Sequence, residues 1–270
     1  MDQQELAQAL ALTSVIDYRA FETIGSTNDE ALAWADDGAQ DYSLVISDEQ
    51  TKGRGRFKRQ WITRPGSSLA FSLILKPSDA EIERLSLFAP LCGIAVHDAV
   101  KSLVNLEPQI KWPNDILIKR QKCCGILVEA NWIDGRPNAV ICGIGINITR
   151  DSVPPSDGQL FSAACLEDFS HAPIDRFLVL QQVLTYIQKW REAFASPLFF
   201  EHWTKHLAFL GEQVMIVQSE KQSIIGVEKG IDSSGNLVLL LENNEEIAFE
   251  VGDVHLRPMN ASTKSGGKDA

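Results

Sequence analysis

A basic segment from Lys52 to Arg64 offers the clearest chemistry in the sequence. It holds six basic residues and no acidic one, in a chain whose net charge is −11. Glycine and arginine alternate over residues 53–56 (GRGR). Glycine lets a backbone approach an anion closely, and guanidinium groups hold anion oxygens by paired hydrogen bonds. The segment predicts a phosphate-gripping loop, although a solvated basic loop has the same composition, and the GxxxxGK pattern of a P-loop is missing.

Two later motifs place polar residues beside apolar runs. Residues 111–115 read KWPND, and proline in a strand-like run predicts a bend that re-aims Asn114 and Asp115, with ordinary turn chemistry as the alternative. Residues 122–129 read KCCGILVE, so that Lys122 stands at the mouth of an apolar strand. A lysine there is an ordinary strand-end charge unless an anionic ligand lies nearby.

Two other patterns are weaker. Residues 143–147 read GIGIN, but the third glycine and the following helix of a dinucleotide fingerprint are missing, which rejects Rossmann-type binding. His202 and His206 are spaced i, i+4 on a predicted helix. No glutamate completes an HExxH motif, so these two are interpreted as ordinary helix histidines.

The elements that must position these motifs follow from capping and periodicity. Residues 27–30 have the T-x-x-E form of a capping box, which predicts a helix starting just after Ser26. Apolar periodicity predicts strands over 43–46, 68–75, 110–118, 124–128 and 139–148, and helices over 83–104, 174–194 and 199–207. Two of these strands are nearly all apolar, which indicates a sheet covered on one face by the helix before them.

The remaining segments suggest a second, smaller unit. Residues 149–173 are rich in Ser, Pro, Asp and Gly and predict a long loop. After Gly211, short strands are predicted over 213–218, 223–228, 236–241 and 246–249, as in a small β-barrel. We therefore expect domains at 1–210 and 211–258, followed by a disordered tail at 259–270.

Composition narrows the functional class. The 270 residues are 44% hydrophobic and 23% charged, as in soluble globular proteins. The charge of −11 disfavours nucleic acid and anionic membranes as partners, and the apolar run 86–96 is too short to cross a bilayer. The N-terminal residues lack a basic secretory region, and five cysteines without a CxxC pair fit a reduced protein. We expect a cytoplasmic location.

The order of the motifs is more specific than any one of them. STN at 26–28, GRGR with a downstream Trp, KWPND, K-x-x-GIL-x-E, GIGIN and a final β unit occur in series. From about Ser26 to Arg257 the chain resembles the biotin protein ligases. The resemblance implies an α/β (α+β) fold, with a class II synthetase-like catalytic domain built on a mixed sheet and helices, and a C-terminal SH3-like barrel.

The resemblance also implies an activity. Biotin and ATP are the substrates, with Mg²⁺, and biotinyl-5′-adenylate is the intermediate from which a lysine of biotin carboxyl carrier protein takes the acyl group. Positioning and electrostatic stabilisation would carry both steps, so no protein nucleophile is required. The resemblance also allows a homodimer.

Residue roles are implied by matching motifs. The biotin-binding set comprises Ser26, Thr27, Asn28, Gln50, Arg54, Gly55, Arg56, Lys122 and Gly125. The ATP-binding set comprises Arg54, Arg56, Trp61, Asn114, Lys122, Asn147 and Arg257. The resemblance makes Lys122, Arg56 and Asp115 the catalytic residues, and Asp115 a ligand of Mg²⁺. A buried urea needs its donors and acceptors satisfied, which hydroxyl and amide side chains can do.

The chain departs from the family pattern at three places. Phe57 and Lys58 stand where many members have Arg-Gly, and residues 149–173 lack a Trp to stack on adenine, which leaves Phe161 as the candidate. Only 25 residues precede Ser26, too few for a winged helix-turn-helix, so we expect a ligase without operator binding. The alternatives are a lipoate ligase, a biotin-dependent repressor and a non-catalytic biotin-binding module.

Overall fold

The computed structural model describes residues 1–56, 59–104, 106–154, 162–219, 222–250 and 255–258, and for residues 218, 219, 222 and 255–258 it describes the backbone alone. The helices in these ranges are α1 (Gln3–Leu10), α2 (Thr27–Asp36), α3 (Asp79–Ile82), α4 (Phe88–Leu103), α5 (Arg176–Glu192) and α6 (Pro197–Lys205). The strands are β1 (Asp17–Ile24), β2 (Ser43–Gln50), β3 (Ser68–Leu75), β4 (Gln109–Lys111), β5 (Asp115–Ile118), β6 (Gln121–Ile133), β7 (Arg136–Asn147), β8 (Gln213–Ser219), β9 (Gln222–Ile231), β10 (Leu237–Leu240), β11 (Glu246–Phe249) and β12 (His255–Pro258).

A mixed seven-stranded sheet forms the larger unit. Its strand order is β1-β2-β3-β7-β6-β5-β4, with β1 and β2 parallel and every other pair antiparallel. The class expected from the resemblance, α/β with a mixed sheet, is confirmed. No helix among the described residues is long and apolar enough to cross a membrane.

The sheet is covered on both faces, not only on one as the apolar pattern indicated. Successive residues of a strand point to opposite faces. Leu73 of β3 therefore joins the main core with α4 and α5, whereas Ile74 packs with Ala31 and Ala35 of α2. Burying such a side chain stabilises the fold by about 1.5–3 kcal/mol.

The second unit is a five-stranded antiparallel sheet in the order β11-β10-β9-β8-β12. It lies against the KWPND segment of the larger unit. Trp112 Nε1 donates to the carbonyl of Gly235 at 3.2 Å, and Arg120 pairs with Glu212 at 2.5 Å. The second unit thereby buttresses the hairpin that carries Asp115.

Several predicted elements differ from the structure. Residues 110–118, predicted as one strand, form the hairpin β4–β5, because the turn at Trp112–Asn114 reverses the chain. Helix α2 begins where predicted, but Ser26 is its N-cap without a side-chain cap bond, and no T-x-x-E box forms. Glu30 pairs with Arg19 of β1 at 2.7 Å instead. The ion pair between Glu30 and Arg19 therefore forms in place of the predicted capping box.

Four elements have no counterpart in the sequence predictions: α1, β1, α3 and β12. Strand β1 lies at the edge of the sheet and is largely exposed or half-buried, so its sequence DYRAFETI lacks the apolar run of a central strand. Helix α1 is only eight residues long and is capped by Asp2, whose side chain accepts from two backbone N–H groups. The predicted tail at 259–270 lies outside the described residues.

Candidate active site

Four polar side chains meet at the start of α2. Ser72, fully buried on β3, has its Oγ 2.8 Å from Thr27 Oγ1 and 2.6 Å from Asn28 Oδ1. Gln50 Oε1, at the end of β2, accepts from the backbone N–H and the hydroxyl of Thr27 at 2.8 and 3.1 Å. A serine hydroxyl has a single proton, so Ser72 satisfies only one of its two acceptors at a time. The cluster, with buried Ser26 as the N-cap beside it, retains capacity to accept from a ligand.

Glu129 of β6 sets the orientation of the Asn28 amide. Asn28 Nδ2 donates to Glu129 Oε2 at 2.6 Å and to the carbonyl of Leu127 at 3.3 Å. With the amide nitrogen committed to β6, Asn28 Oδ1 faces Ser72 on β3. Asn28 therefore joins two strands that lie on either side of β7.

Gly125 of β6 and Gly143 and Gly145 of β7 lie next to this polar cluster and form a surface that we call the glycine floor. A Cβ atom built on Gly143 would lie 2.9 Å from Asn28 Cγ, and one on Gly145 would lie 2.6 Å from Trp61 Cζ2. A Cβ on Gly125, paired with Gly145 across the strands, would lie 3.1 Å from Trp61 Cζ3. Carbon atoms in proteins pack at about 3.5–4.0 Å, so only glycine fits at positions 143 and 145. The GIGIN motif is a floor against which Asn28 and Trp61 lie.

The GRGR segment closes over one side of that floor. Arg54 pairs with Asp29 at 2.5 Å and with Glu129 at 3.2 Å, and the hydrogen bond that Arg54 donates to Asp29 is the main cause of its raised pKa. Arg56 Nη1 lies 3.3 Å from Asn114 Oδ1. The loop thus connects α2, β6 and the β4–β5 turn through its two arginines, while Gly55 N–H bonds to Arg59 O at 2.7 Å.

A cluster of two ammonium groups and one carboxylate lies at the other end of the floor. Asp115 is 9% exposed, with Oδ1 2.6 Å from Lys122 Nζ and Oδ2 3.5 Å from Lys111 Nζ. Burial raises the pKa of Asp115, but the two lysines outweigh it and the pKa falls below its usual value. Burial lowers the pKa of Lys111 despite Asp115. With both lysines protonated the cluster carries a net positive charge, which suits an incoming phosphate.

Trp61 connects the two ends. Its ring lies over the glycine floor and 5.8 Å from Lys122 Nζ, and its backbone N–H bonds to Gly53 O at 3.0 Å. Trp61 Nε1 is buried and has no hydrogen-bond partner among the described residues. A buried donor of this kind is available to a ligand.

The structure brings together most of the predicted site residues. Asn114 Nδ2 donates to Ile126 O at 2.7 Å, and Asn147 Nδ2 donates to Ala164 O at 3.0 Å, so both amides also hold local backbone. Arg257 lies on β12, paired with Met215, but its side chain is outside the described residues, as are Phe57, Lys58 and Phe161.

Sequence reasoning missed Ser72, Glu129 and Lys111 as site residues. A signal existed for two of them. Glu129 is four residues after Gly125 in β6, an even spacing that keeps both on one face, and Lys111 begins the KWPND motif. Ser72 lies within the apolar strand SLAFSLIL, where nothing distinguishes it from a buried structural serine.

The predicted Mg²⁺ ligand does not fit that role. Both Asp115 oxygens face ammonium groups, which compete with a cation for the same lone pairs. Among the described residues, the one group of three or more metal-ligating side chains is a histidine cluster elsewhere.

Comparison with known families places this arrangement in a defined class. Residues 20–147 match the biotin/lipoate A/B protein ligase family, and residues 209–257 match the biotin protein ligase C-terminal domain. The first match spans β1 to the end of β7, and so holds the whole glycine floor. The second coincides with the five-stranded sheet.

Individual relatives narrow the class. The chain is 30% identical to the biotin--[acetyl-CoA-carboxylase] ligase of Mycobacterium tuberculosis over 86% of both chains, and 33% identical to the bifunctional ligase/repressor BirA of Bacillus subtilis over 84% of this chain and 69% of that one. Among solved structures, the biotin protein ligase of Aquifex aeolicus in complex with biotin and ATP superposes with a TM-score of 0.77 at 27% identity, covering 90% of this chain and 99% of that one. The chain belongs to the biotin protein ligase family.

Proposed function

We propose that this biotin protein ligase activates biotin with ATP as biotinyl-5′-adenylate and transfers the biotinyl group to a lysine of biotin carboxyl carrier protein. One observation carries the proposal. A polar cluster suited to a neutral ligand head and a net-positive cluster suited to a phosphate lie at opposite ends of one glycine floor. Biotin joined to AMP has that polarity along its length.

The neutral end would hold the ureido ring. Asn28 Oδ1 and Thr27 Oγ1 compete for the single proton of Ser72, so one of them can accept from a ligand N–H. A ligand that lacked N–H groups would leave these buried acceptors without a new partner, which is the usual basis of strong discrimination. This favours biotin over lipoate.

The positive end would serve the adenylation step. A carboxylate oxygen of biotin attacks the α-phosphorus of ATP, a new P–O bond forms, and the bond to pyrophosphate breaks. Lys122 would approach both the carboxylate and the α-phosphate, and its charge would gain value as negative charge builds on phosphate oxygens. Arg56 and Arg54 would close the loop over the adenylate and exclude water.

The second step needs an amine from the carrier. The lysine nitrogen attacks the acyl carbon, an amide bond forms, AMP leaves, and the amine proton passes to solvent or to a nearby acceptor. Asp115 and Asn114 supply oxygen acceptors at the β4–β5 turn, where they can orient the incoming amine. Because its pKa lies below the usual value, Asp115 acts here by orientation rather than as a strong base.

The carrier step is tested by transfer to a purified carrier domain. We expect ATP-dependent labelling of the wild-type domain on a streptavidin blot, and none of a domain whose acceptor lysine is changed to arginine. Parallel reactions with lipoate in place of biotin should leave the mass of the domain unchanged. Equal labelling of the wild-type domain and the lysine-to-arginine domain would refute the proposed acceptor lysine. Equal use of lipoate would refute biotin as the substrate.

A further inference from the structure

Three histidines lie together away from the ligase site. His97 is on α4, on the sheet face opposite α2, and His202 and His206 are within and at the C-cap of α6. Candidate ligand atoms of the three lie within 4.8 Å of one another, and the rings of His97 and His206 are 4.1 Å apart. His97 is fully buried and His206 is 7% exposed. The sequence spacing of His202 and His206 alone indicated ordinary helix histidines.

Asp98 fixes the orientation of His97. Asp98 Oδ1 lies 2.8 Å from His97 Nδ1 and 3.0 Å from His202 Nε2, while Asp98 Oδ2 accepts from Trp190 Nε1 at 2.9 Å. A carboxylate on Nδ1 places the proton there and leaves the lone pair on His97 Nε2. Carboxylate–histidine pairs of this form are typical of metal ligands.

His206 has the same arrangement with a different partner. His206 Nδ1 lies 2.9 Å from the carbonyl of His202, an acceptor that requires Nδ1 to donate. The lone pair of His206 therefore lies on Nε2. His97 Nε2 is buried without a hydrogen-bond partner among the described residues. The lone pair of His97 Nε2 thus has no protein donor among the described residues, and the lone pair of His206 Nε2 lies in the same cluster.

Glu107 completes a set of three ligand atoms. Its Oε1 lies 3.4 Å from His206 Nε2 and 3.9 Å from His97 Nε2. A tetrahedral Zn²⁺ with bonds of about 2.05 Å separates its ligand atoms by about 3.3 Å. The distance from Glu107 to His206 already meets that value, and the distance from Glu107 to His97 needs only a small closure.

We propose that His97, His206 and Glu107 form a binding site for a divalent transition-metal ion of the Zn²⁺ type, oriented by Asp98 and His202. Two imidazoles and a carboxylate leave a fourth position for water. At present Lys101 Nζ lies 2.7 Å from Glu107 Oε1 and neutralises it. Lys101 is 47% exposed, so its ammonium group can turn into solvent when a metal ion takes its place.

The location gives the site a mechanical consequence. Ile110 N–H donates to His206 O at 2.8 Å, and Ala208 N–H donates to Ile110 O at 2.9 Å. Ile110 precedes Lys111 in β4. An ion held by α4, α6 and the segment before β4 would brace the strand that carries Lys111 from behind.

Metal binding is measured on the intact protein without biotin or ATP, so the result is independent of the ligase reaction. After treatment with a chelator and desalting, we expect one equivalent of Zn²⁺ to bind by calorimetry, and Co²⁺ to give visible absorption of an N/O-ligated ion. Glu107→Gln should weaken binding about tenfold or more. Lys101→Gln should strengthen it, because the competing ammonium is removed.

His171→Gln is the matched control, since His171 is exposed and outside the cluster. His206→Gln should lose binding. Glu107 is exposed, so its variant keeps the test decisive even where replacement of buried His97 prevents folding. Absence of Zn²⁺ binding by the wild type, equal affinity of the Glu107→Gln protein, or loss of binding in the His171→Gln protein would overturn the assignment.

Discussion

Replacing Lys122 with alanine separates catalysis from stability. In the native cluster, two ammonium groups face the single carboxylate of Asp115, with Lys122 at 2.6 Å and Lys111 at 3.5 Å. Removing Lys122 leaves Asp115 paired one-to-one with Lys111. Because no buried charge is left without a partner, the large destabilisation of a broken buried pair is not expected.

The two effects should differ in size. Lys122 is 26% exposed and its pair is partly screened, so we expect the free energy of unfolding to fall by about 1 kcal/mol or less. Adenylation should lose one preorganised cation at the phosphate, worth about 3 kcal/mol, or roughly a hundredfold in rate. Biotin binding in the absence of ATP should fall less than adenylation does, since only the contact with the biotin carboxylate, and not the one with the phosphate, is then lost.

The assay compares pyrophosphate release under single-turnover conditions, biotin affinity by calorimetry, and urea unfolding. Lys229→Ala is the control, because Lys229 is exposed on β9 and its removal changes the net charge equally. Pyrophosphate release close to the wild-type rate in the Lys122→Ala protein would refute the role. So would an equal loss in the Lys229→Ala protein.

The remaining predictions concern the glycine at position 145, Glu228 of β9 and Arg56. Gly145→Ala places a Cβ within 2.6 Å of Trp61, so biotin affinity should fall about tenfold or more by calorimetry, whereas Gly25→Ala, with nothing within 4 Å, should bind normally. Burial raises the pKa of Glu228 to about 8 from 4.5, so its proton is held in the folded state and released in the unfolded one, and stability should fall as pH rises between these values. In urea titrations, the Glu228→Gln protein should lose this pH dependence of the free energy of unfolding. At pH 8 it should be more stable than wild type by at most about 4 kcal/mol. The Arg56→Gly protein should release adenylate to bystander lysines, so it should label serum albumin with biotin more than wild type does at equal pyrophosphate release. Equal labelling would mean that another residue retains the adenylate.

The sequence could predict the parts of the fold that apolar periodicity determines. Strands β3 and β11 were predicted with the bounds that the structure has, because each is a short run between clear breaks. Edge strand β1 was missed because it carries little buried surface. The hairpin β4–β5 was read as one strand because the intervening turn is only three residues long and β4 has a single apolar residue, Ile110.

The site could be predicted in its motifs but not in its contacts. The GIGIN glycines looked like a failed dinucleotide motif, and only the positions of Asn28 and Trp61 explain them. Ser72 comes from a strand with no motif at all, since its role depends on β3 lying beside β7 under α2. Such neighbours are set by strand order, which local sequence does not encode.

The most direct test of the account is detection of the intermediate itself. The purified protein is incubated with biotin, ATP and Mg²⁺, without any carrier protein, and the products are analysed by mass spectrometry. We expect biotinyl-5′-adenylate with an equal amount of pyrophosphate, and neither product when ATP or biotin is omitted. Pyrophosphate without the adenylate, or no ATP-dependent product at all, would contradict it.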